Sequence, residues 1–370
     1  MKCVAAVARA AKAPFVIEPI DVPEPAADEV LVRIVGVGIC ATDLASRDGL
    51  LGAPFPSVFG HEGAGVVERV GSRVMKVKPG DHVVLAPASD GVCEQCQRSA
   101  PMYCERFNEL NLQTPPGPRC TAELTDGGHA VLKYFGQSSF AHFALAGERN
   151  TVKVPNDVPL KILGPLGCGI QTGAGTVING LKPPPGSVIA VLGAGAVGLA
   201  AVLGAAVCGC STIIVVDRVD SRLELARALG ATHGINTERE HDLARAIRAI
   251  APRGANFIVD SAGVPALIDG AFGGLAIRGT LGLVAVPPSV DRTRELPWYS
   301  ALNRGQRVEG FVVGNSVPDV FIPQLIDLYT QGLFPFDQLI SFYCFDEINE
   351  AVADLQHGKT IKVVLVTGSA

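Results

Sequence analysis

The sequence predicts a two-domain α/β protein that combines a β-barrel-like domain with a doubly wound parallel sheet. Its 370 residues, 48% of them hydrophobic, are enough for two cores. Residues 2 to about 160 consist of short β-rich runs and turns, whereas strands and helices alternate from about 187 to 313. We therefore predict a first domain over 1–169 and 314–370, interrupted by a second over 170–313.

The first domain is predicted from β-rich runs separated by turn residues. Glu29–Val35 and Gly65–Val70 are rich in β-branched side chains, and a Pro-Gly-Asp turn precedes Val83–Leu85. Between Val92 and Leu124 the pattern is irregular and contains four cysteines and several prolines. So long an excursion needs its own anchor.

The second domain is predicted from alternating periodicities. Its helices are expected at 196–207, 221–229, 241–250 and 265–272, and its strands at 188–192, 213–216, 257–260, 281–286 and 308–313. Two amphipathic helices at 320–329 and 347–355 and a strand at 362–366 complete the chain. The sequence contains no internal repeat.

Charge and composition exclude several classes of protein. The net charge of -5 arises from 31 basic and 36 acidic residues that are mixed along the chain, which argues against a nucleic-acid groove. Ser187–Val216 is uncharged and long enough to span a membrane, but its glycines indicate a buried strand, helix and strand instead. The N-terminus lacks a signal-peptide core, so we expect a cytoplasmic protein whose ten cysteines are thiols or metal ligands.

A dinucleotide-binding turn follows the strand Val188–Leu192. Glycines at the first, third and sixth positions of a G-x-G-x-x-G motif permit the turn, the close approach of a pyrophosphate and the packing of helix on strand. The backbone N–H groups and the helix dipole then face the phosphates. The residues expected to face the cofactor are Gly193, Gly195, Ala196, Val197 and Gly198.

The acid at the end of the next strand favours NAD over NADP. Asp217 would accept hydrogen bonds from the adenosine ribose hydroxyls and repel a 2′-phosphate. Arg218 follows it directly, and an adjacent guanidinium can turn towards a phosphate.

Two cysteines and a histidine in glycine-rich surroundings predict a catalytic zinc site. Cys40, His61 and Cys168, each taken singly, fit a buried core side chain equally well. In combination with a dinucleotide fold, three such ligands with an open fourth position favour a catalytic zinc ion.

These motifs resemble the zinc-dependent medium-chain dehydrogenase family, in its benzyl (aryl) alcohol dehydrogenase branch, over essentially the whole chain. The segments that carry the resemblance are 38–43, 59–65, 167–175, 193–198 and 357–362. The resemblance implies a catalytic domain like the GroES barrel and a Rossmann domain. It also implies reversible, NAD-dependent oxidation of a primary aromatic or allylic alcohol, and a homodimer or homotetramer joined partly through strand edges near Val308–Val313.

Ligand roles follow from the resemblance position by position. Cys40, His61 and Cys168 would hold one catalytic zinc ion, with water or substrate oxygen as the fourth ligand. Glu62 matches the acid that approaches the metal during ligand exchange.

Three further positions match supporting roles. Asp43 matches the acid that orients the imidazole, Thr42 the hydroxyl that takes the alcohol proton, and Lys362 a basic side chain near the pyrophosphate. Ala41 and Ala45 stand where relatives carry relay groups, so the final proton acceptor is not identified.

A second, structural zinc site is altered. The family pattern is C-x2-C-x2-C-x7-C, and we interpret Cys93 and Cys96 as its first pair, with Ser99 in third place and Cys104 early. Either a substitute ligand completes this site or the lobe folds without metal. The candidate substitutes are Cys120 and Asp90.

Other enzymatic and non-enzymatic functions stay open. The same motifs are typical of polyol and formaldehyde dehydrogenases. The same fold also occurs in zinc-free NADPH quinone or enoyl reductases, and a non-catalytic NAD-binding protein could retain it. The aromatic and proline side chains that could line an apolar pocket, or equally pack in a core or interface, are Phe55, Pro56, Phe59 and Trp298. The cysteines predicted to be core are Cys3, Cys208, Cys210 and Cys344.

Overall fold

The computed structural model describes residues 1–113, 120–286 and 297–368, which form two compact units. The first comprises Met1–Cys168, Val317–Asp327 and Asp337–Ala370, and the second comprises Gly169–Ser316 and Leu328–Phe336. The predicted α/β fold class is confirmed. Leu328–Phe336 lies with the second unit, although the sequence boundaries placed it in the first.

The strands and helices have the following bounds. The strands are β1 (Lys2–Ala8), β2 (Phe15–Asp21), β3 (Glu29–Ile39), β4 (Ser57–Val58), β5 (Gly63–Val70), β6 (His82–Leu85), β7 (Thr121–Leu124), β8 (His129–Val131), β9 (Phe143–Gly147), β10 (Thr151–Lys153), β11 (Val188–Leu192), β12 (Thr212–Asp217), β13 (His233–Asn236), β14 (Ala255–Asp260), β15 (Leu275–Leu283), β16 (Arg307–Gly310), β17 (Ile340–Cys344) and β18 (Lys362–Val366). The helices are α1 (Ala41–Arg47), α2 (Glu94–Gln97), α3 (Phe107–Asn111), α4 (Gly169–Gly175), α5 (Ala196–Val207), α6 (Asp220–Ala228), α7 (Leu243–Ile250), α8 (Pro265–Gly274), α9 (Trp298–Arg304), α10 (Pro318–Thr330) and α11 (Ile348–Gln356).

The first unit contains a closed barrel and a second sheet. The barrel has the strand order β1-β2-β7-β8-β4, and the sheet has the order β10-β6-β5-β3-β18-β17 with β9 also paired to β3. Strand β3 is buried along most of its length because β-branched side chains pack on both of its faces. The first half of β3 borders β9 and the second half borders β18. This sheet thereby fixes the end of β3, where the first predicted metal ligand follows.

The second unit is a six-stranded parallel sheet in the order β13-β12-β11-β14-β15-β16. Its central strand β11 is buried and leads into the Ala-rich helix α5, most of which is buried as well. Helix α4 packs closely on α5 because Gly173 has no side chain, and a Cβ there would lie 1.9 Å from the carbonyl oxygen of Val197. The sequence analysis did not predict β13, whose residues His-Gly-Ile-Asn lack a β-strand pattern. Among the described residues, no helix has the length and apolar character to cross a bilayer.

Candidate active site

The turn from β3 into α1 presents Cys40. Its backbone is extended, and it occupies the position that precedes the first turn of α1. The amide of Cys40 donates to Asp43 Oδ2 at 2.9 Å, so the acid at the third helical position caps the helix. A strand end and a capped helix therefore fix the sulfur-bearing residue from both sides.

Asp43 also holds the histidine. Its Oδ1 lies 2.7 Å from His61 Nδ1 and accepts from the amide of Gly60 at 3.1 Å, and its side chain is fully buried. Gly60 has a φ of +89°, and a Cβ there would lie 2.4 Å from the amide nitrogen of Phe140, so glycine is required. The carboxylate assigns the ring proton to Nδ1. The lone pair of His61 is then on Nε2, the opposite nitrogen.

Four side chains converge at this position. One ligand atom each from Cys40, His61, Glu62 and Cys168 lies within 4.8 Å of the others. His61 Nε2 is buried and has no hydrogen-bond partner among the residues that the structure describes. A buried imidazole nitrogen left unpaired beside two thiols and a carboxylate is the donor set that Zn²⁺ prefers. The residues present therefore fit a zinc ion.

The charges of the cluster also suit a cation. The pKa of Cys40 lies well below its ordinary value because the neighbouring Cys168 thiol hydrogen-bonds to its sulfur, and His61 and Lys362 act in the same direction. Conversely, the neighbouring Cys40 sulfur raises the pKa of Cys168. Burial lowers the pKa of His61, but the Asp43 carboxylate and the Cys40 sulfur outweigh burial and hold that pKa well above its usual range, so a metal ion would displace a proton from Nε2 when it binds. One thiolate and a second thiol are thus stabilised side by side.

Lys362 lies beside this cluster, and its expected position near a pyrophosphate stays a prediction. Its Nζ lies 2.6 Å from Glu62 Oε2 and 2.7 Å from Oε1, and it donates to the carbonyl of Ile39 at 3.1 Å. Lys362 is 2% exposed, so its ammonium neutralises a buried carboxylate. Burial raises the pKa of Glu62 to about 7, and Lys362 opposes that increase. Gly38 leaves room for this pair, since a Cβ there would lie 1.9 Å from Glu62 Oε2.

Thr42 borders the cluster from α1. Its Oγ1 lies 3.7 Å from Cys40 Sγ, and the residue is half-buried. Its carbonyl accepts from the hydroxyl of Tyr134 at 3.1 Å, and that hydroxyl also lies 2.8 Å from Ser46 Oγ. The hydroxyl predicted to take a proton is therefore held beside Cys40, one of the predicted metal ligands.

Aromatic rings surround the ligand histidine, and sequence reasoning missed two of them. Phe135 stacks on His61 with ring centroids 4.5 Å apart, and Tyr134 packs edge-on at 5.7 Å. Phe59 packs on Tyr134 and is fully buried, so it belongs to the core. Trp298 is 76% exposed on α9 of the second unit. A Tyr-Phe pair before a glycine has no motif that would have marked Tyr134 and Phe135.

A second cluster corrects the reading of the cysteine lobe. Ligand atoms of Asp90, Cys93, Cys96 and Cys104 lie within 4.8 Å of one another. Their spacing is D-x2-C-x2-C-x7-C, which is the family pattern with aspartate in first place. The three cysteines therefore occupy the second to fourth positions, and Ser99 is a turn residue with a φ of +61°. Cys120 is not part of this cluster.

The glycine turn of the second unit has the predicted conformation. Gly193 has a φ of +94°, and its amide donates to the carbonyl of Val216 at 2.8 Å. A Cβ on Gly198 would lie 1.8 Å from the carbonyl oxygen of Gly193, so the third glycine permits close packing of the turn. Ala196 and Val197 begin α5.

The acid after β12 is tied to this turn. Asp217 Oδ2 accepts from the amide of Ala194 at 2.8 Å, and its Oδ1 accepts from the amide of Val219 at 2.9 Å. Arg218 is exposed. The structure therefore fixes the carboxylate beside the glycine turn and leaves the guanidinium at the surface.

The remaining cysteines differ from one another. Cys3 is buried as predicted, whereas Cys208 and Cys210 are half-buried. Cys344 is exposed, which contradicts its assignment to the core. Alternation along β17 directs it outward, and a single side chain in a short strand does not reveal which face is buried.

The first unit contains a barrel and a cluster of two thiols and one imidazole, and the second unit contains a dinucleotide-type sheet. Together these features define an oxidoreductase of the zinc dehydrogenase type. The family model "Alcohol dehydrogenase GroES-like domain" matches residues 26–156, and the model "Zinc-binding dehydrogenase" matches residues 196–331. The chain belongs to the zinc-binding alcohol dehydrogenase family.

Three similar proteins span nearly the whole chain. Geraniol dehydrogenase of Castellaniella defragrans is 43% identical over 98% of this chain and 97% of its own. The crystal structure of an alcohol dehydrogenase zinc-binding domain protein from Burkholderia ambifaria has a TM-score of 0.97 at 47% identity and covers 100% of both chains. That of benzyl alcohol dehydrogenase from Acinetobacter calcoaceticus has a TM-score of 0.94 at 44% identity, again over 100% of both chains.

Proposed function

We propose that this protein is an NAD-dependent zinc alcohol dehydrogenase that interconverts a primary aromatic or allylic alcohol and its aldehyde. The observation that carries the proposal is the convergence of Cys40, His61, Glu62 and Cys168 around the unpaired Nε2 of His61. Two relatives named for a benzylic and an allylic alcohol support the substrate class.

The metal ligands would be Cys40, His61 and Cys168, with Glu62 close enough to replace an outgoing ligand. When bound, zinc supplies a Lewis acid that lowers the pKa of an alcohol towards neutrality. Asp43 keeps the proton on His61 Nδ1 and so keeps the Nε2 lone pair available.

Proton removal is assigned to Thr42. Its hydroxyl lies beside Cys40 Sγ and belongs to a half-buried residue, so it can accept the alcohol proton and pass it outward. Ala41 and Ala45 carry no titratable group, so these two positions cannot take the proton from Thr42. A dinucleotide held at the glycine turn of Gly193 and beside Asp217 would supply the acceptor for the hydride of the alcohol carbon.

The aromatic surroundings of His61 support an apolar alcohol. Phe135 stacks on the imidazole and Tyr134 packs on its edge, so rings border the ligand on these sides. A polyol would require polar partners for its further hydroxyls. These contacts therefore favour a benzylic or allylic alcohol over a polyol.

Asp217 supports NAD as the cofactor. Its carboxylate is fixed beside the glycine turn, where a ribose diol can donate to it and a 2′-phosphate would be repelled. Because Asp217 would repel a 2′-phosphate, we expect turnover with NAD⁺ to exceed turnover with NADP⁺ by at least about 10-fold in kcat/KM, which corresponds to about 1.4 kcal/mol. Asp217→Ser should narrow that ratio, and Asp220→Ser is an exposed acid control on the neighbouring helix. Equal turnover with both cofactors in the unmodified protein would contradict the assignment.

Zinc analysis and turnover on one sample test the core of the proposal. Protein purified without added metal should contain zinc and oxidise benzyl alcohol or geraniol faster than sorbitol. His61→Ala should remove this zinc and nearly all turnover, whereas His129→Ala, an exposed histidine, should change neither. Turnover that persists in zinc-free protein would instead favour a zinc-free reductase.

We also propose that Asp90 completes a second zinc site. Its carboxylate lies with the three thiols of Cys93, Cys96 and Cys104, and carboxylate oxygen is an accepted zinc ligand. We expect two zinc ions per chain, one in Asp90→Ala and two again in Asp90→Cys. Cys120→Ser, outside the cluster, should keep both. A single zinc ion in the unmodified protein, retained by Asp90→Ala, would show that the lobe folds without metal.

Finally, we propose a homodimer through β16. This strand borders the sheet, and all four of its residues are exposed. Antiparallel pairing of two copies about Val308 would set Arg307 opposite Glu309 of the second copy, which makes the edge complementary in charge to itself. Nearby exposed apolar side chains enlarge this surface; they are Ile277, Trp298, Tyr299 and Leu302.

Light scattering tests the dimer. Glu309→Arg should yield monomer because like charges then face each other, and adding Arg307→Glu should restore the dimer. A homotetramer would need a further interface. A monomeric unmodified protein would refute this assembly.

A further inference from the structure

Gln137, which belongs to no motif, forms hydrogen bonds with the segment that carries His61 and Glu62. Gln137 follows the short helical turn Tyr134–Gly136 and is 1% exposed. Its Nε2 donates to the carbonyl of His61 at 3.0 Å, and its Oε1 accepts from the amide of Gly63 at 3.1 Å. The orientation of this side-chain amide is unambiguous, because a backbone carbonyl can only accept and a backbone N–H can only donate.

These two hydrogen bonds bracket Glu62. The side-chain amide of Gln137 pairs with the peptide groups on either side of Glu62, as a neighbouring strand would. On the opposite side, the carbonyl of Glu62 accepts from the amide of Gly38 at 3.0 Å. The backbone of the ligand segment is therefore held from both sides, by β3 and by Gln137.

A serine supports the glutamine. Ser139 Oγ donates to Gln137 Oε1 at 2.9 Å, and Ser139 is fully buried. Gly63 permits this approach, since a Cβ there would lie 2.7 Å from the Cβ of Ser139. The amide of Ser139 donates to the carbonyl of Gly60 at 2.9 Å, which keeps the two segments side by side.

We propose that Gln137 is a positioning residue for the zinc site, acting through the peptide groups of His61 and Gly63. It touches neither substrate nor metal, and the inference rests on the proposed zinc chemistry. Asp43 fixes the imidazole ring, but no bond from Asp43 fixes the carbonyl of His61 or the amide of Gly63. Without Gln137 these buried peptide groups lose their partner, and the ligand segment shifts relative to Cys40.

The test compares two buried glutamines. Gln137→Met keeps the side-chain volume and removes the hydrogen bonds. The control is Gln306→Met in the second unit, because Gln306 is also a buried, hydrogen-bonded glutamine. Its Nε2 donates to the carbonyl of Phe272 at 3.3 Å, and its Oε1 accepts from Ser300 Oγ at 3.3 Å. Zinc release into a chromophoric chelator is followed over time for each holoprotein. The kinetic phase that is absent from His61→Ala is the release of zinc from the cluster of Cys40, His61 and Cys168. Melting temperatures and the visible bands of the Co²⁺-exchanged proteins are recorded in parallel.

We expect Gln137→Met to release zinc from this cluster at least about 10-fold faster and to alter the cobalt bands, because lost support of a ligand commonly costs that much affinity. Gln306→Met should lower the melting temperature without either change. If both variants release zinc at the rate of the unmodified protein, Gln137 is only a buried structural amide. If Gln137→Met does not fold, Ser139→Ala decides, and an unchanged release rate there overturns the inference. Absence of cluster zinc in the unmodified protein would overturn the proposed function as well.

Discussion

Replacing Lys362 by methionine isolates the energy of the buried ion pair in the first unit. The Nζ of Lys362 lies 2.6 Å from Glu62 Oε2, with side-chain exposures of 3% and 0%. At pH 9, above the raised pKa of about 7 for Glu62, removing Lys362 costs about 3–5 kcal/mol, because the Glu62 charge is left without compensation. A unit of about 150–250 residues loses about 2–4 °C per kcal/mol, so we expect the melting temperature to fall by roughly 6–20 °C.

The assay is calorimetry on chelator-treated protein, so that a bound cation cannot replace the ammonium. Lys359→Met is the matched control, since Lys359 lies 2.6 Å from Asp354 with its own side chain 66% exposed. Exposed pairs contribute about 0–1 kcal/mol, so the control should hardly change. Adding Glu62→Gln to Lys362→Met should recover most of the loss, because the buried charge is then gone. A shift for Lys362→Met no larger than that of the control would refute the reasoning.

Three further outcomes follow from single contacts. The Asp43 carboxylate accepts hydrogen bonds from the amides of Cys40 and Gly60 and from His61 Nδ1, and Asp43→Asn replaces one accepting oxygen by a donating NH₂ group. Zinc release should therefore accelerate about 10- to 100-fold in a chelator assay, and an unchanged rate would contradict this. Gly198→Ala would press a Cβ against the carbonyl of Gly193, so the dissociation constant for NADH, measured by fluorescence titration, should rise. Burial raises the pKa of Asp260, so the folded state binds a proton more tightly than the unfolded state. Stability therefore falls as the pH rises from the pKa of the unfolded state to that of the folded state. Asp260→Asn should flatten this decline in melting temperature as the pH rises above the ordinary aspartate pKa of about 4, and an unaltered slope would argue against it.

Local sequence was sufficient wherever one short segment determines the structure. The turn follows from Gly193, which must adopt a left-handed backbone directly after a β-branched strand, and both features are adjacent in the chain. The pair of Cys40 and Asp43 likewise lies within one capped helical turn.

Sequence was insufficient where a partner is distant or follows no motif. The ion pair of Lys362 with Glu62 was not predicted, because it joins residues 300 positions apart and position alone gives no direction to a side chain. Asp90 was named only as one of two candidate replacement ligands, because Cys93 and Cys96 were interpreted as the first pair of the pattern. Gln137 was missed since an isolated glutamine between short structural elements has no periodicity to mark it.

The placement of β18 has a consequence for how the protein is made. The half of β3 that leads to Cys40 pairs with β18, which follows the second unit in the chain. On the ribosome, most of the second unit emerges as one continuous stretch and can fold early, whereas the first sheet waits for its last strand. Nascent chains halted before Lys362 would therefore expose an unpaired β3 edge, and premature termination there should produce aggregation instead of a truncated, metal-binding first unit.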